Sequence, residues 1–185
     1  MPVLICMLRG VNVGSHNRIR MDALRALCES LKLEDPRTYV QSGNVIFRTK
    51  EKNVVSLAKK IQDAIRREFG FRPEVILRTV GELRQAIAAN PFACRRDIVP
   101  GNLLLTFLAA EASPGSRTTL AKFKDYPEEI HLTGRELYIY FPNGAGKSKL
   151  PWSSVEKLLK TPGTARNWNS VTKMLEIAEE LEAAD

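Results

Sequence analysis

Four stretches of this chain pair turn-forming residues with polar side chains that can hold an anion: RGVNVGSHNRIR (Arg9–Arg20), QSGN (Gln41–Asn44), PNGAGKSK (Pro142–Lys149) and TPGTARNWNSVTK (Thr161–Lys173). None contains Asp or Glu, although the chain has 21 acidic residues. Donor-rich loops without carboxylates suit a negatively charged or polar partner, and they lack the groups that most hydrolytic chemistry uses.

Each stretch is a separate chemical case. GAGKS (Gly144–Ser148) has the ending of a phosphate-binding loop, but position 141, where that loop needs its first glycine, is Phe141. The strand before it reads as half of a hairpin rather than of a parallel βαβ unit. A nucleoside triphosphatase is therefore not expected, and what remains is a local anion site: glycine amides with Lys147, Ser148 and Lys149 entering a helix near Leu150. In RGVNVGSHNRIR, Gly10 and Gly14 allow close backbone approach, and Asn12, His16, Asn17, Arg18 and Arg20 supply donors. Its glycine spacing is not that of a dinucleotide fingerprint. Arg18 and Arg20 stand at a predicted helix entrance, where the dipole disfavours cations. That placement argues for a bound anion.

In ARNWN, Trp168 could stack on a base while Arg166, Asn167 and Asn169 hold phosphate or read an edge. Trp168 also falls on an apolar stripe with Val171, Leu175 and Ala178, and Thr164 or Asn167 could cap a helix, so a packing role explains the cluster equally well. SGNVIF has a weak likeness to an RNA-recognition strand, yet Phe47 is its one aromatic and the first strand has none, so the stacking platform is missing.

Cysteine and histidine add little. Cys6 and Cys28 occupy core positions, and Cys94 beside Arg95 and Arg96 has no evident base. His16 and His131 have no ligand-spaced partner, so neither a metal nor a cofactor is expected. Glu176, Glu179, Glu180, Glu182 and Asp185 read as a solvated acidic helix end.

The elements that must position these loops follow from apolar periodicity. VLICML is a buried strand, and Met21, Leu24, Leu27, Cys28 and Leu31 mark a helix. TYV and NVIFRT form a hairpin about QSGN. A second helix runs from Val54 to Phe69, and PEVILRT is a strand. This β-α-β-β-α-β order is that of a ferredoxin-like unit over residues 1–79. A helix and connector follow over 80–101. Residues 102–185 form a second α+β subdomain: a strand at NLLLTFLA, a helix around Pro114–Phe123, a hairpin of EIHLT and ELYIYF, and helices at Leu150–Leu159 and Trp168–Leu181. That order partly echoes the first half, without a residue-level repeat. The expected class is α+β.

A length of 185 residues suffices for one large or two small domains. The net charge of +7 is uneven: Lys and Arg exceed Asp and Glu by 15 to 8 through residue 79 and balance at 13 each beyond it. The basic first half fits a nucleic-acid partner or, more plainly, surface charge. No apolar run suits a membrane span. The opening MPVLICML reads as a strand rather than an export signal, so the expected compartment is the cytoplasm.

Taken together, LRGVNVGSHNRIRM, QSGNVIF, ANPF, GKSKL and TARNWNSVTKM resemble, in that order, the bacterial family termed domain of unknown function 1697. The resemblance implies an α+β fold with ferredoxin-like elements and carries no assigned activity. Ser15 stands where the family pattern has glycine and Ser170 where it has threonine. The family-like set is Arg9, Gly10, Asn12, Gly14, Gln41, Ser42, Gly43, Asn44, Lys147, Ser148, Lys149, Arg166, Asn167, Trp168 and Asn169. It nearly coincides with the carboxylate-free loops.

The leading expectation is a binding protein for a phosphate-bearing partner, nucleic acid or a phosphorylated small molecule. Arg18, Arg20, Lys147, Lys149 and Arg166 would contact phosphate, and Gln41, Asn44, Asn167 and Asn169 would give directional hydrogen bonds. One alternative is an enzyme on a small anionic substrate, working by positioning and electrostatics, for which the loops offer His16 as a base and which Asp22, Asp97 or Cys94 beside these loops would favour. The other is a structural or partner-binding module in which the motifs only fix loop conformations.

Overall fold

The computed structural model describes residues 1–184; Asp185, counted above in the acidic end, lies outside them. The chain is α+β and divides into two compact units, Met1–Arg84 with Lys173–Asp185, and Gln85–Thr172. Residues 173–184, which the sequence grouped with the second half, pack with the first unit.

In the first unit the elements are β1 (Val3–Leu8), α1 (Met21–Ser30), β2 (Glu34–Tyr39), β3 (Asn44–Arg48), α2 (Val54–Phe69) and β4 (Val75–Thr79). The strands form an antiparallel sheet in the order β2-β3-β1-β4. Strand side chains alternate between faces. Leu4, Cys6 and Leu8 of β1 therefore join Val45, Phe47 and Leu77 in one core with Leu24 and Cys28 of α1 and Leu57, Ile61 and Ile65 of α2. The opposite face of β1, Val3, Ile5 and Met7, is also buried, which is why the segment reads as a continuous apolar run. Asn53 caps α2 by accepting from Ser56 N, and Gly70 ends it in the left-handed conformation at φ 81°.

α3 (Val80–Ala88) follows β4 directly. Its entrance is a reciprocal capping box: Glu82 N donates to Thr79 Oγ1 and Thr79 N donates to Glu82 Oε2. The last helix, α6 (Trp168–Ala183), is fastened to the first unit along its later turns. Arg37 and Arg84 pair with Glu180 and Glu179, and Arg48, 8 % exposed, donates to Leu181 O.

In the second unit β5 (Leu103–Leu108), α4 (Ser116–Leu120), β6 (Glu129–Thr133), β7 (Glu136–Tyr140), α5 (Trp152–Leu159) and β8 (Gly163–Asn167) give a second antiparallel sheet in the order β6-β7-β5-β8. This is the order of the first sheet. Its core gathers Leu108, Leu137, Ile139 and Phe141 with Leu120, Phe123, Leu150, Val155 and Leu159. Tyr138 OH donates to Ala86 O at 2.7 Å, and Phe92 meets the His131 ring edge-on at 5.1 Å.

The strand β8 completes a second β-α-β-β-α-β unit where the sequence suggested a loop. TPGTARN has the composition of a turn, but Gly163 must be glycine for contact rather than for bending. A Cβ there would lie 2.8 Å from Thr106 Cγ2 and 2.9 Å from Leu108 Cδ2. The two last strands end alike: Arg78 and Arg166, both buried, are opposite Ile5 and Leu105, and the next residue caps a helix in each case. At the second position Ser170 N donates to Asn167 Oδ1. Among the described residues no helix is long and apolar enough to cross a membrane.

Candidate functional site

The four sequence loops fall into two pairs, one in each unit. In the first unit Asn12 joins RGVNVGSHNRIR to QSGN. Its Nδ2 donates to Ile19 O at 2.9 Å and to Gln41 O at 2.7 Å, and its Oδ1 accepts from Ile19 N at 2.9 Å. Asn12 and Asn17 adopt positive φ, 56° and 53°, which asparagine tolerates better than most side chains. Asn17 Nδ2 donates to Gly10 O, and Asn12 N donates to Asn17 O. These two asparagines, expected to supply donors to a ligand, thus commit their side-chain N–H groups to closing the loop.

The QSGN turn is equally built from within. Asn44 is fully buried and its Nδ2 donates to Tyr39 O and Ser42 Oγ. Gly43 O accepts from Leu8 N, and a Cβ on Gly43 would stand 2.9 Å from Leu8 Cβ. Arg9 N donates to Glu74 O, so the first loop leaves the end of the inner strand β1 at a fixed point. Val40, just before the turn, is 48 % exposed and has φ 50°. A β-branched side chain in that region is strained, at a cost of roughly 1–3 kcal/mol.

Between these loops lies a cavity of about 390 Å³ lined by Asn12, Arg18, Ile19, Arg20, Met21, Asp22 and Gln41. Gly10 and Gly14 border open space. The two arginines differ. Arg20 is bound bidentately by Asp22, at 3.1 Å from Nε and 2.7 Å from Nη2. The hydrogen bond to Asp22 and its charge raise the Arg20 pKa, and the Arg20 guanidinium holds the Asp22 carboxyl below the usual carboxylate range. The cation that looked misplaced at the start of α1 is therefore neutralised by the chain's own carboxylate, in the first turn where the helix dipole favours one. Arg18 is exposed and makes one long bond, 3.4 Å, to Gly14 O.

In the second unit GAGKS does not open a helix. Ala145–Lys147 is a single 3-10 turn, Ser148 is extended, and α5 starts at Trp152. Lys147 and Lys149 are exposed, and α5 begins after Pro151 rather than at the glycine turn, where a phosphate-binding loop would start its helix. Ser148 is turned inward: its Oγ donates to Glu128 Oε1 at 2.5 Å and accepts from Leu150 N. Glu128 is 7 % exposed, and its Oε2 has no hydrogen-bond partner among the described residues. A carboxylate thus meets a loop that contains none, and no local pattern around Glu128 announces it.

Arg166 is 7 % exposed and donates to Thr164 Oγ1 and Ala165 O. Burial places it in the sheet rather than on a phosphate-contacting surface. Trp168 is half-buried, whereas Val171, Met174, Ala178 and Leu181 form the buried stripe of α6. Asn167 is a helix cap, and Asn169 is exposed. Cys6 and Cys28 are buried, the latter with its thiol pushed up to about 12 by burial, while Cys94 is exposed. No group of three or more His, Cys, Asp or Glu placed to hold a metal occurs among the described residues.

The model of the family described as "Protein of unknown function (DUF1697)" matches residues 1–138. The chain belongs to this family. The match covers the RGVNVGSHNRIR and QSGN loops and ends before GAGKS and TARNWN, so the last two motifs are outside it. The fold is similar to that of the conserved bacterial protein SP0830 from Streptococcus pneumoniae, with a TM-score of 0.65 and 20 % identity over 96 % of this chain and 98 % of that one. At that identity the likeness concerns the fold alone. No curated protein matches the chain.

Proposed function

We propose that this DUF1697 protein binds a phosphate-bearing partner, nucleic acid or a nucleotide-like molecule, in the cytoplasm and through the loop pair of its first unit. The observation that carries this reading is Arg18. Its exposed guanidinium borders the 390 Å³ cavity with no carboxylate bonded to it among the described residues, on a loop that Asn12 holds in place. A pre-set loop lowers the entropic cost of engaging an anion, and an arginine fork suits phosphate oxygens. Arg20 is a weaker contributor because Asp22 already occupies it, and Arg166 is withdrawn by burial. Lys147 and Lys149 are exposed cations that a polymer could reach.

Asp22 on the same cavity is a candidate base for the enzyme reading. The Arg20 guanidinium counts against it, since a carboxyl held below its usual range takes up protons poorly near neutrality.

Fluorescence anisotropy of labelled single- and double-stranded oligonucleotides and of a labelled nucleotide, across a salt series, tests the proposal. Binding should weaken linearly in log salt, and Arg18→Ala should lower affinity and reduce the slope by about one. Binding of the nucleotide but not the oligonucleotides would restrict the partner to small molecules. No binding of either at low salt would refute the proposal.

A further inference from the structure

The second sheet ends on β6, in the order β6-β7-β5-β8, so one side of that strand has no neighbour in the sheet. The register tells which groups lie on that side. Leu108 N donates to Arg135 O, so Arg135 and, by alternation, Leu137 and Ile139 turn their amides and carbonyls toward β5. Glu136, Tyr138 and Tyr140 then face Thr133, His131 and Glu129. The N–H and C=O groups of Ile130 and Leu132 are left pointing outward. In the first sheet β2 holds the corresponding place, and it is blunted by Pro36 and by a register shift between Glu34 and Arg37. β6 has neither device: its register is unbroken, and EIHLT contains no proline or lysine.

A cleft of about 470 Å³ follows this edge, lined by the four residues from Ile130 to Thr133, by α4 and the turn after it, and by Pro91. Arg117 and Lys124 stand on its helix side, both exposed and neither paired with a carboxylate among the described residues. The lining carboxylate, Glu128, is buried and accepts from Ser148 Oγ. From these observations we infer that the open edge of β6 is the docking site for an extended acidic segment of a partner protein, which adds a strand to the second sheet. Its main chain pairs with Ile130 and Leu132, and carboxylates at alternate positions meet Arg117 and Lys124. A second copy of this chain is the poorer occupant, because edge-to-edge pairing would bring the same cations to the seam from both sides. The site lies wholly within the second unit and does not depend on the phosphate-binding loops of the first.

The test uses the full-length protein and two fluorescein-labelled peptides long enough to span β6, one of alternating glutamate and valine, the other of alternating lysine and valine. Anisotropy should show binding of the glutamate peptide and not of the lysine peptide. Arg117→Glu combined with Lys124→Glu should weaken that binding on the order of tenfold. Both side chains are exposed, so this variant should keep the wild-type thermal midpoint. Amide hydrogen exchange reads the pairing itself. In the free protein the Ile130 and Leu132 amides should exchange faster than that of His131, and the glutamate peptide should slow both. N-methylation of alternate peptide residues should abolish binding in one phase and spare it in the other. Absence of binding, equal binding of the lysine peptide, unchanged exchange at Ile130 and Leu132, or equal loss from both methylated peptides would each overturn the inference. Slow exchange at these two amides in a peptide-free dimer would also overturn it, assigning the edge to a second copy.

Discussion

Ser148 Oγ donates a 2.5 Å hydrogen bond to Oε1 of Glu128, a carboxylate twenty positions earlier in the chain and 7 % exposed. A short bond to a buried carboxylate is of the charge-assisted kind. Removing its donor leaves a buried carboxyl without compensation. Ser148→Ala should lower the unfolding free energy by about 1.5–3 kcal/mol. Ser148→Ala in a Glu128→Met background should cost much less, since the carboxylate is gone. Chemical denaturation of the four proteins in this double-mutant cycle measures the coupling, and additive effects would show that the bond contributes nothing to stability.

The strain at Val40 gives a second prediction. Its side chain is largely in solvent while its backbone has φ 50°. Val40→Asn should stabilise the protein by about 1 kcal/mol by relieving that strain without sacrificing packing. Asn12→Ala should do the reverse, destabilising by roughly 1–3 kcal/mol through loss of its hydrogen bonds to Ile19 and Gln41. Hydrogen exchange at the Ile19 amide, which donates to Asn12 Oδ1, should accelerate in Asn12→Ala.

A third concerns pH. The Arg20 hydrogen bond, then the Ala23 amide and the Arg20 charge, depress the Asp22 carboxyl against an opposing desolvation. A carboxyl whose folded pKa lies below its unfolded value contributes stability above the unfolded value, about 3.9, and loses it as pH falls through the folded one. In carbon-detected NMR, Asp22 should titrate below the usual carboxylate range in the wild type and move back toward it in Arg20→Ala. Identical midpoints would show that the pair does not persist in solution.

Glycine substitutions should separate contact from flexibility. Gly163→Ala forces a methyl against Thr106 and Leu108 inside the second sheet and should cost about 1–3 kcal/mol. Gly43→Ala meets Leu8 at a backbone φ of 76° and should also destabilise. Gly146→Ala, with nothing within 4 Å of the new methyl, should leave the thermal midpoint almost unchanged. A large loss at Gly146 would show that its backbone freedom is needed.

Much of the architecture was legible along the chain because it rests on local rules. The short continuous apolar run VLICML, the helical spacing from Val54 to Phe69 and the turn residues of QSGN each determine an element from within a few positions. The strand at Gly163–Asn167 was not legible. Its glycine, threonine and arginine have turn-like composition, and the reason for the glycine, Thr106 and Leu108 pressing on it, lies in another strand.

The candidate site shows the same division. Sequence alone determined which loops carry the donors and that no carboxylate lies within them. Tertiary structure decided how those donors are used. Asp22 occupies Arg20, burial withdraws Arg166, and Asn12 and Asn44 spend their side chains on their own loops, leaving Arg18 exposed. Glu128 reaches Ser148 only because β6 begins beside the turn that follows β7. Composition records which groups a segment holds, but the neutralisation and solvation of each group depend on what the fold brings within hydrogen-bond distance of it.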